Sequence, residues 1–226
     1  TEHIPLQHIT GIVNFYGREY KVNANVLIPR QDTEILVEEV MKLTNSESRV
    51  LDMCTGSGCI IISLAASGHT SENGAVAIDI SDDALKVADY NKKYNNADYI
   101  KLIKSDMFSS SECEQYKNED NRFDVIVSNP PYIPTKDIDE LSEEVRLHDP
   151  VLALDGDTDG LKFYKAITKQ SVNYLKENGY LCYEIGYNQA EDVRNIMEQC
   201  GYSGIKVIKD LAGLDRVVIG RLNNIN

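Results

Sequence analysis

The residues of this chain best suited to chemistry stand together at Asn129-Pro130-Pro131-Tyr132. The Asn129 amide oxygen and the Pro130 carbonyl are two neighbouring acceptors, with the Tyr132 ring beside them. Proline fixes φ, removes a backbone donor and biases the preceding residue towards an extended shape, so this corner is stiff. Rigid acceptors next to an aromatic face suit a substrate –NH2 group, holding both hydrogens while its nitrogen faces a second ligand. Taken alone, Asn-Pro is also an ordinary turn signal. The surrounding elements decide between the two.

Before this corner runs Val125-Ile126-Val127, an unbroken apolar run expected of a strand buried on both faces of a parallel sheet. Asn129 then falls just past the carboxyl end of that strand, where open α/β sheets bind ligands. Upstream, residues 49–52 predict the first core strand and 59–65 the helix after it. Between them lies Asp52-Met53-Cys54-Thr55-Gly56-Ser57-Gly58, whose glycines let the chain turn sharply and let a ligand approach a helix N-terminus. A dinucleotide fingerprint needs another glycine where Ile61 stands, so the shorter Gly-x-Gly suits a nucleoside without a pyrophosphate.

Residues 75–79 predict the second strand, which ends in Asp79; a carboxylate there can accept both hydroxyls of a ribose lying over the glycine turn. Ser81 predicts an N-cap, and Asp82, Asp83, Lys92 and Lys93 complement the dipole of the helix it opens. Residues 99–103 predict a third strand. Beyond it, Asp106, Met107 and Phe108 can flank an adenine, the acid for its amino group and the others for its faces.

Elsewhere, residues 11–28 predict a β-hairpin around Gly17-Arg18. Arg30 and Glu34 form a polar cluster at the entrance of a helix capped by Asp32 or Thr33, with Ile35, Leu36, Val40 and Leu43 on one face. Residues 109–122 are polar without apolar periodicity and predict an exposed loop. A lid-length connection runs from Tyr132 to Gly160, with a short helix expected over 139–146. Helices are expected over 161–176 and 189–199 and a strand over 179–185. Strands over 205–208 and 216–219 close the sheet, as an antiparallel hairpin around Gly213.

The 226 residues fit one large α/β domain, or one domain plus a small appendage. Such a chain buries roughly 70–75% of its unfolded surface and needs no disulfide or metal staple. No apolar run approaches the roughly 20 residues of a membrane span, and the first residues do not read as a signal peptide. With 36 acidic and 23 basic residues, a net charge of −13 argues against nucleic acid as the main partner. Five cysteines without a Cys-x-x-Cys predict reduced thiols in the cytoplasm, and the four scattered histidines predict no metal site.

The order glycine loop, Asp79, Asp106 and Asn-Pro-Pro-Tyr resembles the class I S-adenosylmethionine-dependent methyltransferases. Two more stretches, residues 26–34 (with Pro29-Arg30-Gln31-Asp32-Thr33-Glu34) and 144–156 (with His148-Asp149-Pro150), resemble the protein-(glutamine-N5) methyltransferases that modify peptide-chain release factors. Asp210-Leu211-Ala212-Gly213-Leu214-Asp215-Arg216 fits the same family. That resemblance implies a Rossmann-like α/β fold: a mostly parallel seven-stranded sheet with helices on both faces and an N-terminal β-hairpin. It implies S-adenosyl-L-methionine as cofactor, S-adenosyl-L-homocysteine as product, no metal, and a release factor as protein substrate of a cytoplasmic monomer. Neither a membrane nor direct nucleic-acid binding is expected.

By the same resemblance, Cys54, Thr55, Gly56, Ser57 and Gly58 pass under the cofactor, Asp79 and Ile80 meet its ribose, and Asp106, Met107 and Phe108 meet its adenine. Arg30, Glu34 and Asp52 lie towards its methionine end, and Asn129 borders it. Asn129, Pro130, Pro131 and Tyr132 bind the substrate amide, with Asn129, Pro130 and Tyr132 serving the transfer itself. The same chemistry serves adenine-N6 methylation of DNA or RNA, the alternative reading; a binding module that keeps the fold and an NAD-dependent oxidoreductase are more distant rivals.

Three departures from the family pattern stand out. Cys54 replaces the first glycine of the loop and is strained if that position needs positive φ. Gly156-Asp157 replaces Gly-Gly. Family members also carry a small helical domain before the hairpin, whereas about ten residues precede Gly11 here. The expected division is residues 1–28, an N-terminal segment and hairpin, and 29–226, the methyltransferase domain without that helical domain.

Overall fold

The computed structural model describes residues 3–223. The chain enters through a short helix, α1 (Leu6–Thr10), and the hairpin β1 (Ile12–Phe15) and β2 (Arg18–Lys21). Tyr16 and Gly17 both take positive φ (47° and 69°), as the tightest hairpin turns demand. Phe15 and Tyr20 are buried in the same cluster as Leu36 and Ile61, so the hairpin shares the core of the sheet.

Then follow α2 (Asp32–Met41), β3 (Val50–Met53), α3 (Cys59–Ala66), β4 (Ala75–Asp79), α4 (Asp82–Tyr94), β5 (Lys101–Lys104) and β6 (Phe123–Ser128). Ser81 caps α4, its hydroxyl accepting from the Ala84 N–H at 3.2 Å. At α2 the expected cap is absent: the helix starts at Asp32, one turn earlier than its apolar face indicates, and Gln31 precedes it without a side-chain cap bond. The buried stripe there is Thr33, Leu36, Val37 and Val40.

The last part holds α5 (Glu143–His148), α6 (Val151–Leu154), α7 (Lys162–Ser171), β7 (Leu175–Glu184), α8 (Ala190–Gln199), β8 (Tyr202–Lys209) and β9 (Asp215–Leu222). Among the described residues seven strands form one sheet in the order β5-β4-β3-β6-β7-β9-β8. The first five run parallel, and β9 pairs antiparallel with both β7 and β8. Alternate strand residues feed two cores: Leu51, Ile78 and Ile126 enter one, and Val50, Ala77 and Val127 the other. This is the expected mostly parallel, doubly covered α/β architecture with an N-terminal hairpin.

Two expectations need correcting. Residues 109–122 are mostly exposed, as expected, but form two 3-10 turns rather than an irregular loop, Ser111–Lys117 and Glu119–Asn121. Cys113 and Tyr116, spaced for the three-residue repeat of such a turn, are buried, and Tyr116 packs on Phe123 with centroids 5.0 Å apart. The second concerns Tyr132 to Gly160. A 3-10 turn (Thr135–Glu140) comes first, so the helix expected over 139–146 begins at Glu143. This strap closes on itself: the Ile133 N–H donates to the Leu154 carbonyl (3.0 Å) and the Gly156 N–H to the Ile133 carbonyl (2.8 Å). A Cβ on Gly156 would lie 2.9 Å from the Tyr132 backbone, so only glycine permits this approach.

Candidate active site

At the carboxyl ends of β3, β4 and β6 lies a pocket of about 380 Å³. Its floor is the loop Cys54 to Ser57. The Gly56 N–H donates to Asp79 Oδ2 (2.8 Å) and the Ser81 N–H to Asp79 Oδ1 (2.9 Å), so the carboxylate at the end of β4 fixes the loop and the entrance to α4 together. Burial raises the Asp79 pKa above the ordinary carboxylate range, and these backbone donors partly offset it. Each oxygen retains acceptor capacity towards the pocket ligand.

Below the loop, Asp52 is fully buried; its Oδ2 accepts from Thr55 Oγ1 at 2.6 Å while Oδ1 has no partner among the described residues. Burial pushes its pKa to about 7. Cys54 has a φ of 62°, so the loop does require the left-handed region at the position where the family uses glycine. Asp157 has a φ of 72°, so the second departure also sits where glycine is favoured. Aspartate tolerates that region better than most residues.

Of the residues expected at the site, Arg30, Cys54, Thr55, Gly56, Ser57, Asp79, Ile80, Asp106, Met107, Asn129 and Pro131 line one pocket. Six others do not line it, the fully buried Asp52 among them. Phe108 turns into the core and stacks on Tyr174, centroids 4.2 Å apart. Glu34 serves the hairpin, its Oε1 accepting from the Tyr16 N–H at 2.8 Å. Gly58 begins α3, where a Cβ would lie 2.8 Å from Ile62 Cδ1. Pro130 is buried, and Tyr132 packs beside the core with its phenol pKa raised by burial.

The backbone of the Asn-Pro-Pro-Tyr corner is held from behind. Buried Gln189 donates through Nε2 to the Tyr132 carbonyl at 2.9 Å, and Ser128 Oγ donates to the Met53 carbonyl at 2.6 Å. The Asn129 side chain donates from Nδ2 to Thr33 Oγ1 at 3.4 Å. Thr33, Ala24 to Leu27, Phe163 and the strap residues Pro150, Leu152 and Ala153 also line the pocket and were not expected there from the sequence. The Pro-Arg-Gln-Asp-Thr-Glu stretch carried the only signal for Thr33. Arg30 and Asp149 form an ion pair at 2.8 Å that ties the strap to the entrance of α2.

Residues 44–215 match a family described as a methyltransferase domain. Over 219 residues the chain is 41% identical to the release factor glutamine methyltransferase of Thermodesulfovibrio yellowstonii, covering 95% of this chain and 75% of that protein. The chain belongs to the release factor glutamine methyltransferase family. It is also 41% identical to the Fusobacterium nucleatum release factor glutamine methyltransferase over 96% of this chain, and spans 60% of that relative's length. Among solved structures, the release factor-specific protein-(glutamine-N5) methyltransferase of Alicyclobacillus acidocaldarius matches with TM-score 0.50 and 25% identity. The match covers 91% of this chain and all of that one, 100%.

The pocket fits the nucleoside cofactor of such enzymes. A half-buried carboxylate at a strand end, a glycine loop beneath it and the apolar Ile80 and Met107 surround one space. Among the described residues no group of three His, Cys, Asp or Glu is placed to hold a metal, and no helix is long and apolar enough to cross a membrane.

Proposed function

We propose that this chain transfers a methyl group to the side-chain amide nitrogen of a glutamine in a peptide-chain release factor, in the cytoplasm. The carrying observation is that Asn129, at the end of β6, lines the same pocket as the glycine loop and Asp79. Bound there, S-adenosyl-L-methionine supplies a methyl group made electrophilic by its sulfonium. Asp79 would hold the ribose hydroxyls, Ile80 and Met107 the adenine, Asp106 its amino group, and Arg30 the methionine end.

A glutamine amide nitrogen is a poor nucleophile, because its lone pair is delocalised into the carbonyl. With Asn129 Nδ2 engaged by Thr33, the acceptor end of Asn129 is left for the substrate. Oδ1 of Asn129 and the Pro130 carbonyl would accept the two substrate N–H bonds, orient the nitrogen and stabilise the positive charge that develops on it. Tyr132 would pack on the planar amide. The product nitrogen sheds its proton readily afterwards, so no base of matched pKa is needed first.

The test combines labelled S-adenosylmethionine, purified release factor and peptide mass spectrometry, with DNA and RNA in parallel. Label on one release-factor glutamine supports the assignment. Label on adenine would replace it with the nucleic-acid alternative.

A further inference from the structure

We propose that Glu184 is a positioning residue for this reaction, its carboxylate holding the Asn129 side chain with the amide nitrogen inward and the oxygen towards the substrate. This rests on the proposed amide methylation. In the sheet, Ser128 of β6 stands opposite Tyr183 of β7, so Asn129 and Glu184 are the next pair at the carboxyl ends of the two strands. Glu184 is only 2% exposed, and its Oε2 has no hydrogen-bond partner among the described residues. The Thr33 hydroxyl and the Asn129 amide lie close enough to the carboxyl to favour its anion. Thr33 also takes a bond from Asn129 Nδ2, so three side chains from α2, β7 and the Asn-Pro-Pro-Tyr corner meet at one point.

An asparagine amide has two ends of nearly equal size and opposite polarity. Turned the wrong way, it would face a substrate –NH2 with its own –NH2, donor against donor. An ionised carboxylate accepts only, so it binds the nitrogen end and rejects the oxygen end; a protonated one can donate to Oδ1 and loses that selectivity. The two strand ends are already fixed by the sheet, so this selection requires no movement of the backbone.

The groups facing Glu184 set where it ionises. Arg216 of β9 favours the anion and Asp32 of α2 opposes it, while the Tyr132 and Tyr164 phenols lie close by. Burial dominates and pushes its pKa to about 7.

The experiment follows the Asn129 side-chain NH2 resonances by NMR as pH is varied, assigned by their loss in Asn129→Ala, alongside turnover of Glu184→Gln and Glu184→Asp. In the wild type the Asn129 signals should shift with a midpoint near 7. Turnover should fall below that midpoint, with KM for the release factor and affinity for S-adenosylmethionine little changed. Glu184→Gln, which can donate to Oδ1, should remove the midpoint from both measurements and lower kcat roughly 10–100-fold. Glu184→Asp should restore part of the rate and the pH limb. Asn129 signals indifferent to pH, or Glu184→Gln with wild-type kcat and pH limb, would overturn the proposal. The NMR titration needs no substrate, so failure of the wild type to label a release factor sinks the proposed function while the role of Glu184 is decided separately.

Discussion

The Arg30 guanidinium donates to the Asp149 carboxylate across 2.8 Å, joining residues 119 apart in sequence. Arg30 lines the pocket, and Asp149 precedes the strap residues Pro150, Leu152 and Ala153 that complete its wall. Asp149 is almost fully buried while Arg30 is partly exposed, with side-chain exposures of 1% and 43%. The arginine thus serves a carboxylate that cannot reach water. Burial raises the Asp149 pKa and Arg30 offsets it.

Arg30→Ala should therefore leave a buried acceptor unpaired and destabilise the fold by about 1–3 kcal/mol. A raised carboxyl pKa costs stability as pH climbs above the unfolded value, so the loss should be fullest at neutral pH and shrink in acid. Urea unfolding at several pH values reads this. Equal loss at every pH would show that Arg30 acts by packing alone.

Asn129 and Asp79 should separate chemistry from binding. Asn129→Ala should lower kcat by about 10²–10³ with cofactor affinity largely kept. Asp79→Ala should weaken cofactor binding roughly 10–100-fold, and it also frees the Gly56 and Ser81 N–H groups. Isothermal calorimetry beside a transfer assay distinguishes them. Equal loss of binding and turnover in Asn129→Ala would make it a pocket residue instead.

At Cys54 the left-handed backbone predicts an order of stability. Cys54→Gly should stay within about 1 kcal/mol of the parent, relief of strain offsetting the greater freedom of the unfolded chain. Cys54→Val should cost more than about 1 kcal/mol, because a β-branched side chain is least tolerated at positive φ. Denaturation midpoints of the three proteins check the order.

Asp52 should make the protein less stable as pH rises. Its ordinary pKa of 3.8 becomes about 7 on folding, so the native state binds the extra proton between those values. Stability then falls with pH across that window, by on the order of 2–4 kcal/mol from this group. Asp52→Asn keeps an acceptor for Thr55 and should flatten that part of the curve. A slope unchanged from the wild type would place the titration elsewhere.

Much of the molecule was legible before folding was considered. The Val-Ile-Val run, the cap at Ser81, the acid ending β4 and the two prolines after Asn129 each act through neighbouring residues. Backbone preference and burial period therefore report them directly. Their spacing also placed the glycine loop, Asp79 and Asn129 at one end of one sheet, because parallel strands present their carboxyl ends together.

Local pattern misled where a side chain's partner lay far along the chain. Glu34 looks like a pocket acid, yet it satisfies a backbone N–H at Tyr16, across the hairpin. Phe108 follows Met107 in sequence but leaves the pocket for Tyr174. Cys113 and Tyr116 sit in a polar stretch whose two apolar residues find a core that only the completed sheet provides.

By itself, then, the sequence determined the order of the strands and of the longer helices, the stiffness of the Asn-Pro-Pro-Tyr corner and the acids and glycines at the sheet's carboxyl edge, since these depend on short-range sterics and periodicity. Only the tertiary structure decided that Thr33, Glu184 and Gln189 converge behind that corner and that Asp149 pairs with Arg30 at the pocket wall. Their contacts link distant segments, and packing and the desolvation of buried charge select such contacts only once the sheet has formed.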